Sequence, residues 1–185
     1  MQTLFKILAI VIFSMSSIFA QDVKNEEKNS PIKPSTFLSK KGTIIKFIDY
    51  NLVPLKSWNY TTRTKIRRFV SSNQSLYFYL ISVVGVNNTS TISIEYPELL
   101  DAINSLSLLK AEIEKDQLSK PDHLENIFTT QDGLQIGYNV EEKGKATWFL
   151  KSEKVGMASY VEFKDFQSLE STLQEAKNKI EELKK

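Results

Sequence analysis

The chain has 185 residues, of which 41% are hydrophobic and 25% charged, with a formal net charge of +2 and no cysteine. The missing cysteine excludes disulfides, thiolate metal ligands and a cysteine-borne lipid anchor. Five prolines and six glycines are few for a fibrous or disordered chain, so one globular domain held by an apolar core is expected.

The chain opens MQTLFKILAIVIFSMSSIFA: one cation at Lys6, an apolar run from Ile7 to Phe13, then small and polar residues ending in Ala20. This is the build of a secretory signal peptide, and cleavage after Ala20 is expected. A membrane span needs about 18 or more consecutive apolar residues, and Ser14, Ser16 and Ser17 end this run sooner. An uncleaved N-terminal anchor is the alternative. The expected destination is secreted or periplasmic. Residues 21–36 carry only Val23 and Ile32 as large apolar side chains and read as a flexible tether. The single domain is expected over 37–185; at that size it buries roughly 70% of its unfolded surface.

In the first half, GTIIKFIDY, TKIRRFV, SLYFYLISV and TISIEY read as four strands, with a polar turn at Gly85-Val86-Asn87-Asn88-Thr89-Ser90. Pro97 then opens a helix whose apolar stripe runs through Leu99, Ile103, Leu106 and Ile113. In the second half, ENIFTTQDGLQIGYNV is a hairpin about Asp132-Gly133. ATWFLKS and ASYVEF follow as a second hairpin about Val155-Gly156, and Asp165 caps a helix striped by Phe166, Leu169, Leu173, Ala176, Ile180 and Leu183.

The two halves, about 41–118 and 124–185, read as the same unit at a constant offset of 67. Ile94-Glu95-Tyr96 falls on Val161-Glu162-Phe163, Ala102 on Leu169, Leu106 on Leu173 and Ile113 on Ile180. The expected fold is therefore α+β: two tandem ββββα-like repeats forming one antiparallel sheet, with both helices packed on one face. Strand alternation places Ile45, Phe47, Ile94, Tyr96, Val161 and Phe163 towards the helices and Lys46, Glu95 and Glu162 on the open face. The segment LYFYLI is apolar on both faces, and Tyr77 and Tyr79 are assigned to the open one; Trp148 is ambiguous.

Charge is unevenly distributed. Residues 31–94 hold nine bases (Lys33, Lys40, Lys41, Lys46, Lys56, Arg63, Lys65, Arg67 and Arg68) and one acid, Asp49, giving +8; from Glu95 onward the balance is −6. Such polarity draws anions to the first half. Its centre is KSWNYTTRTKIRRF, with five cations and three aromatics in fourteen positions. On a strand, Arg63, Lys65, Arg67 and Phe69 share one face, and Thr64, Ile66, Arg68 and Val70 the other. Two readings compete. Cations on an edge strand keep sheets from sticking together, while Trp58 and Tyr60 cover a core edge. Alternatively, arginine forks match anionic oxygens and aromatic rings stack on sugars. The candidate ligand-binding set is Trp58, Tyr60, Arg63, Lys65, Arg67, Arg68, Tyr77 and Tyr79, with an anionic glycan, a lipid surface or a protein as partner. Nucleic acid is not the expected partner, and the acidic half of a second copy is a further one.

No cofactor or metal site is expected: the chain has one histidine, His123, no calcium-loop pattern and no glycine-rich phosphate loop. Glu95 and Glu162, at matching positions, raise a carboxylate-dependent hydrolase as the alternative function. An inhibitor using Tyr77, Tyr79 and Trp148 is another. Asn59, Asn73, Asn87 and Asn88 each start an Asn-x-Ser/Thr tripeptide, glycan acceptors only in a eukaryotic secretory pathway. The first expectation is a non-catalytic exported binding or accessory protein.

Overall fold

A computed structural model describes residues 42–55, 61–71, 74–84, 89–152 and 159–185. The segments read as a signal peptide and a tether, Trp58, Tyr60, residues 85–88 of the turn expected at 85–90 and the turn expected at 155–156 lie outside the described residues; Thr89 and Ser90 belong to a strand.

Four strands, β1 (Lys46–Asn51), β2 (Thr61–Ser71), β3 (Gln74–Val84) and β4 (Thr89–Glu95), lead into helix α1 (Tyr96–Leu118). The pattern then recurs as β5 (His123–Thr129), β6 (Leu134–Glu141), β7 (Ala146–Ser152) and β8 (Ser159–Phe163), followed by helix α2 (Phe166–Leu183). All pairings are antiparallel, in the orders β1-β2-β3-β4 and β5-β6-β7-β8. The class is α+β. The backbone ladders make two four-stranded sheets where one was expected: β4 and β8 come close to each other, yet no ladder joins them among the described residues.

Local chemistry explains the boundaries. Pro97 sits at the start of α1, where its missing N–H costs nothing. Asp165 caps α2, its Oδ1 accepting from Ser168 N at 2.8 Å and Ser168 Oγ at 2.7 Å. The hairpin between β5 and β6 turns through Asp132-Gly133 as expected. Thr130 N donates to Leu134 O at 2.8 Å, and Gly133 adopts φ +88°, a left-handed value that favours glycine.

One apolar core joins both halves. Ile66, Tyr79, Ile81, Ile92 and Ile94 from the first sheet meet Leu134, Ile136, Tyr138, Trp148, Leu150 and Val161 from the second. The helices add Leu99, Ala102, Leu106 and Leu109 on one side and Leu169, Leu173, Ala176 and Ile180 on the other. Each such leucine or isoleucine contributes about 1.5–3 kcal/mol by leaving water.

The helices run antiparallel, with Tyr96 at the start of α1 donating to Glu181 near the end of α2 at 3.2 Å. Their polar ties are exchanged between halves. From α1, Glu98 accepts from the Thr130 hydroxyl and Leu134 N, Asp116 accepts from Tyr138 Oη at 2.7 Å, and Gln117 donates to Gly144 O at 2.8 Å. From α2, Leu183 O accepts from Tyr77 Oη at 3.1 Å and Glu175 from Val53 N at 3.5 Å. Each helix is thus fastened to the strands of the other half.

Four face assignments are corrected: those of Tyr77, Tyr79, Phe47 and Lys46. Tyr77 and Tyr79 lie in the core, with Phe78 and Leu80 on the outer face of β3 instead. Ser82, which follows the parity of Phe78 and Leu80, marks that face as the wetter one. Phe47 pairs with Phe69 on the outer face and is 54% exposed, so Lys46 shares the parity of Tyr50, which packs against the core. Tyr50 and Leu52 set this parity because they reach the core and Phe47 does not. Trp148 resolves to the core.

Candidate functional site

Strand β2 is built by alternation. Thr62, Thr64 and Ile66 are buried on the helix side, while Arg63, Lys65, Arg67 and Phe69 take the outer face. Pairing aligns Arg63 with Ser82, Lys65 with Leu80, Arg67 with Phe78 and Phe69 with Leu76 on β3. On the other side, Asp49 of β1 stands opposite Arg67, and Asn51 opposite Lys65.

Asp49 ties two of the three cations together. Arg67 Nε donates to Oδ1 at 2.7 Å and Arg67 Nη2 to Oδ2 at 2.8 Å, a bidentate grip, while Lys65 Nζ reaches Oδ2 at 2.7 Å. The hydrogen bonds from Arg67 outweigh the cost of partial burial and hold the Asp49 carboxyl well below its ordinary value; Lys65 adds to the effect. The same contact raises Arg67 above its ordinary value. Arg63 makes no ion pair among the described residues. The outer face of this sheet therefore carries Arg63, Lys65 and Arg67 against Asp49 and Glu95.

Beside the cations lies an aromatic row. Phe47 meets Phe69, and Phe69 meets Phe78, each pair edge-to-face with centroids 4.9 Å apart. The Arg67 guanidinium lies 6.0 Å from the Phe47 ring. The sequence placed Phe69 on the face of Arg63, Lys65 and Arg67 but put Phe47 towards the helices and did not single out Phe78.

Of the expected set, the fold unites Arg63, Lys65 and Arg67 on one face. It does not bring Arg68 with them. That side chain turns to the helix side, where its Nε and Nη2 donate to Ser75 Oγ at 3.1 and 3.0 Å and its charge lies 5.7 Å from the Tyr77 ring. Tyr77 and Tyr79 are buried in the core: the first bonds the end of α2, and burial pushes the Tyr79 hydroxyl far above its ordinary value. Trp58 and Tyr60 are outside the described residues.

No protein-family model, curated protein or solved structure matches this chain.

Among the described residues, grooves flank the sheets at two places. One of about 500 Å³ lies between Leu52 and the outer side of α2, lined by Ser171, Gln174, Glu175, Asn178, Lys179 and Glu182. The other, about 210 Å³, runs between α1 and β5 over Leu108, Leu109, Ile127 and Phe128. Among the described residues no three His, Asp or Glu side chains converge as metal ligands, and no helix is long and apolar enough to cross a membrane. Glu95 and Glu162 take the outer faces of β4 and β8, opposite Phe78 and Phe149. His123 is exposed and lies 3.8 Å from Glu125.

Proposed function

We propose that this is an exported, non-catalytic binding or accessory protein that engages an anionic partner on the outer face of its first sheet. The observation that carries the reading is the register of β2. It sets Arg63, Lys65 and Arg67 in a row away from the core, next to the partly exposed Phe47 ring. Asp49 pre-orients Arg67 and Lys65, which lowers the entropy lost when they meet a ligand. An acidic or sulfated glycan suits this arrangement, with cations taking its charged groups and Phe47 the apolar face of a sugar ring.

The test uses an immobilised sulfated polysaccharide and records the salt concentration at which the protein elutes. Replacing Arg63, Lys65 and Arg67 together by Gln lowers that concentration, whereas Arg68→Gln, on the opposite face, leaves it unchanged. Co-elution of all three proteins overturns the assignment.

We further infer that the halves descend from one duplicated ββββα unit. Buried positions recur at the same spacing, Ile94 with Val161, Ala102 with Leu169, Leu106 with Leu173 and Leu109 with Ala176.

A further inference from the structure

Among the described residues seven large apolar side chains are exposed, and six of them lie at two places. Ile44, Phe47 and Val53 lie on or beside β1; Leu108, Leu118 and Ile127 lie on or beside β5. These strands are sheet edges, β1 pairing only with β2 and β5 only with β6 among the described residues; β4 and β8 are the other two edges, and they come close to each other. An unpaired strand presents N–H and C=O groups to any strand that will bond them, and proteins usually guard such an edge with lysine, proline or a bulge. Strand β5, HLENIFT, has neither lysine nor proline over its seven residues. It also borders the groove over Leu109 and Phe128, whose rim residue Leu108 is 71% exposed.

The two edges differ in charge. β1 belongs to the half with the +8 excess; it carries the exposed Lys46 and Asp49, and Lys65 and Arg67 on the next strand outweigh the one carboxylate, which leaves the edge cationic. β5 belongs to the half with the −6 excess and carries the exposed Glu125, with Glu112 on the groove wall. Pairing β1 with β1, or β5 with β5, sets like against like. Pairing β1 with β5 sets unlike charges together and buries exposed apolar groups on both sides.

We propose that the occupant of the β5 edge is β1 of a second copy of this chain, added as a further strand, with Ile44, 90% exposed, entering the α1–β5 groove. The contact is heterologous, since each copy offers one edge of each kind. Assembly therefore continues past the dimer, as a filament or a closed ring. The outer face bearing Arg63 stays open in such an assembly.

Sedimentation velocity on the protein, purified as its cells produce it, tests this over a range of concentrations at low and high salt. The expected mass rises past twice the monomer as concentration increases, and falls back when salt is added. Phe47→Lys removes the β1 edge and Leu108→Glu the β5 edge, so each variant alone sediments as a monomer. Mixed together, they form a dimer and nothing larger, because each retains the edge that the other lacks. That dimer also shows both variants to be folded. A wild-type protein that stays monomeric overturns the proposal. So does a dimer that neither substitution affects, or a mixture that remains monomeric.

Discussion

Asp49 and Arg67 sit directly across from each other on β1 and β2, and the carboxylate grips the guanidinium at two points, 2.7 and 2.8 Å long. One acid thereby sets the geometry of the cationic row and cancels part of its charge. Asp49→Asn separates these roles. It removes a negative charge from the face, so the expected elution from sulfated polysaccharide moves to higher salt. The stability cost is small, about 0.2–1 kcal/mol, since these side chains are about a third exposed.

The acid limb of the stability profile has a defined sign. The folded carboxyl of Asp49 ionises below its ordinary 3.8, so the stability it contributes is present above that pH. As pH falls below 3.8, the unfolded chain takes up the proton first and the contribution is lost. Urea unfolding of wild type and Asp49→Asn should therefore converge under strongly acid conditions.

At the alkaline limb the sign is reversed. Tyr79 and Tyr138 are held above the ordinary 10.0, both by burial first; Glu175 adds to Tyr79, and the bond to Asp116 adds to Tyr138. Their neutral hydroxyls stabilise the fold fully below that pH. Above it, the unfolded chain ionises while the folded one resists, and stability falls. Ultraviolet titration is expected to show these tyrosines ionising only together with the loss of circular dichroism.

Gly137 on β6 lies against the backbone of β5. A Cβ added there would stand 2.2 Å from the carbonyl oxygen of Asn126, an atom fixed in the ladder. Gly137→Ala must push the strands apart, and a loss of about 1–3 kcal/mol in urea unfolding is expected.

Glu98 is 3% exposed and joins α1 to the β5–β6 turn through the Thr130 hydroxyl and Leu134 N. Glu98→Ala leaves the Thr130 hydroxyl without this acceptor, while Leu134 N keeps Thr130 Oγ1 at 2.9 Å; a loss of about 1–3 kcal/mol is expected in urea unfolding. Because Thr130→Val removes part of the same network, the double variant should lose less than the two single losses combined.

Much of this was legible in the sequence, for physical reasons. The helix stripes were read because Leu99, Leu106, Leu169 and Leu173 recur at helical spacing against charged neighbours. The faces of β2 were read because cations and apolar residues alternate there. β3 resisted: LYFYLISVV is apolar at both parities, so Tyr77 and Phe78 were exchangeable until the fold chose. Phe47 was misplaced because Ile44, Ile45, Phe47 and Ile48 let either parity pass as the buried one. The break between β4 and β8, and the pairing of Asp49 with Arg67, depend on how distant segments meet, which local periodicity does not encode. The basic row was legible in composition; its division between the outer face and Arg68 was legible only in the alternation.

The polar ties that each helix makes to the other half have a consequence for how the chain folds. Strands β1–β4 are synthesised first, yet Tyr77 of β3 and the backbone of Val53 find their partners on α2, at Leu183 and Glu175. Without α2 the Tyr77 hydroxyl and the Val53 N–H lose these partners. The eighteen residues of α2 thus supply bonds that the first sheet does not make from its own half.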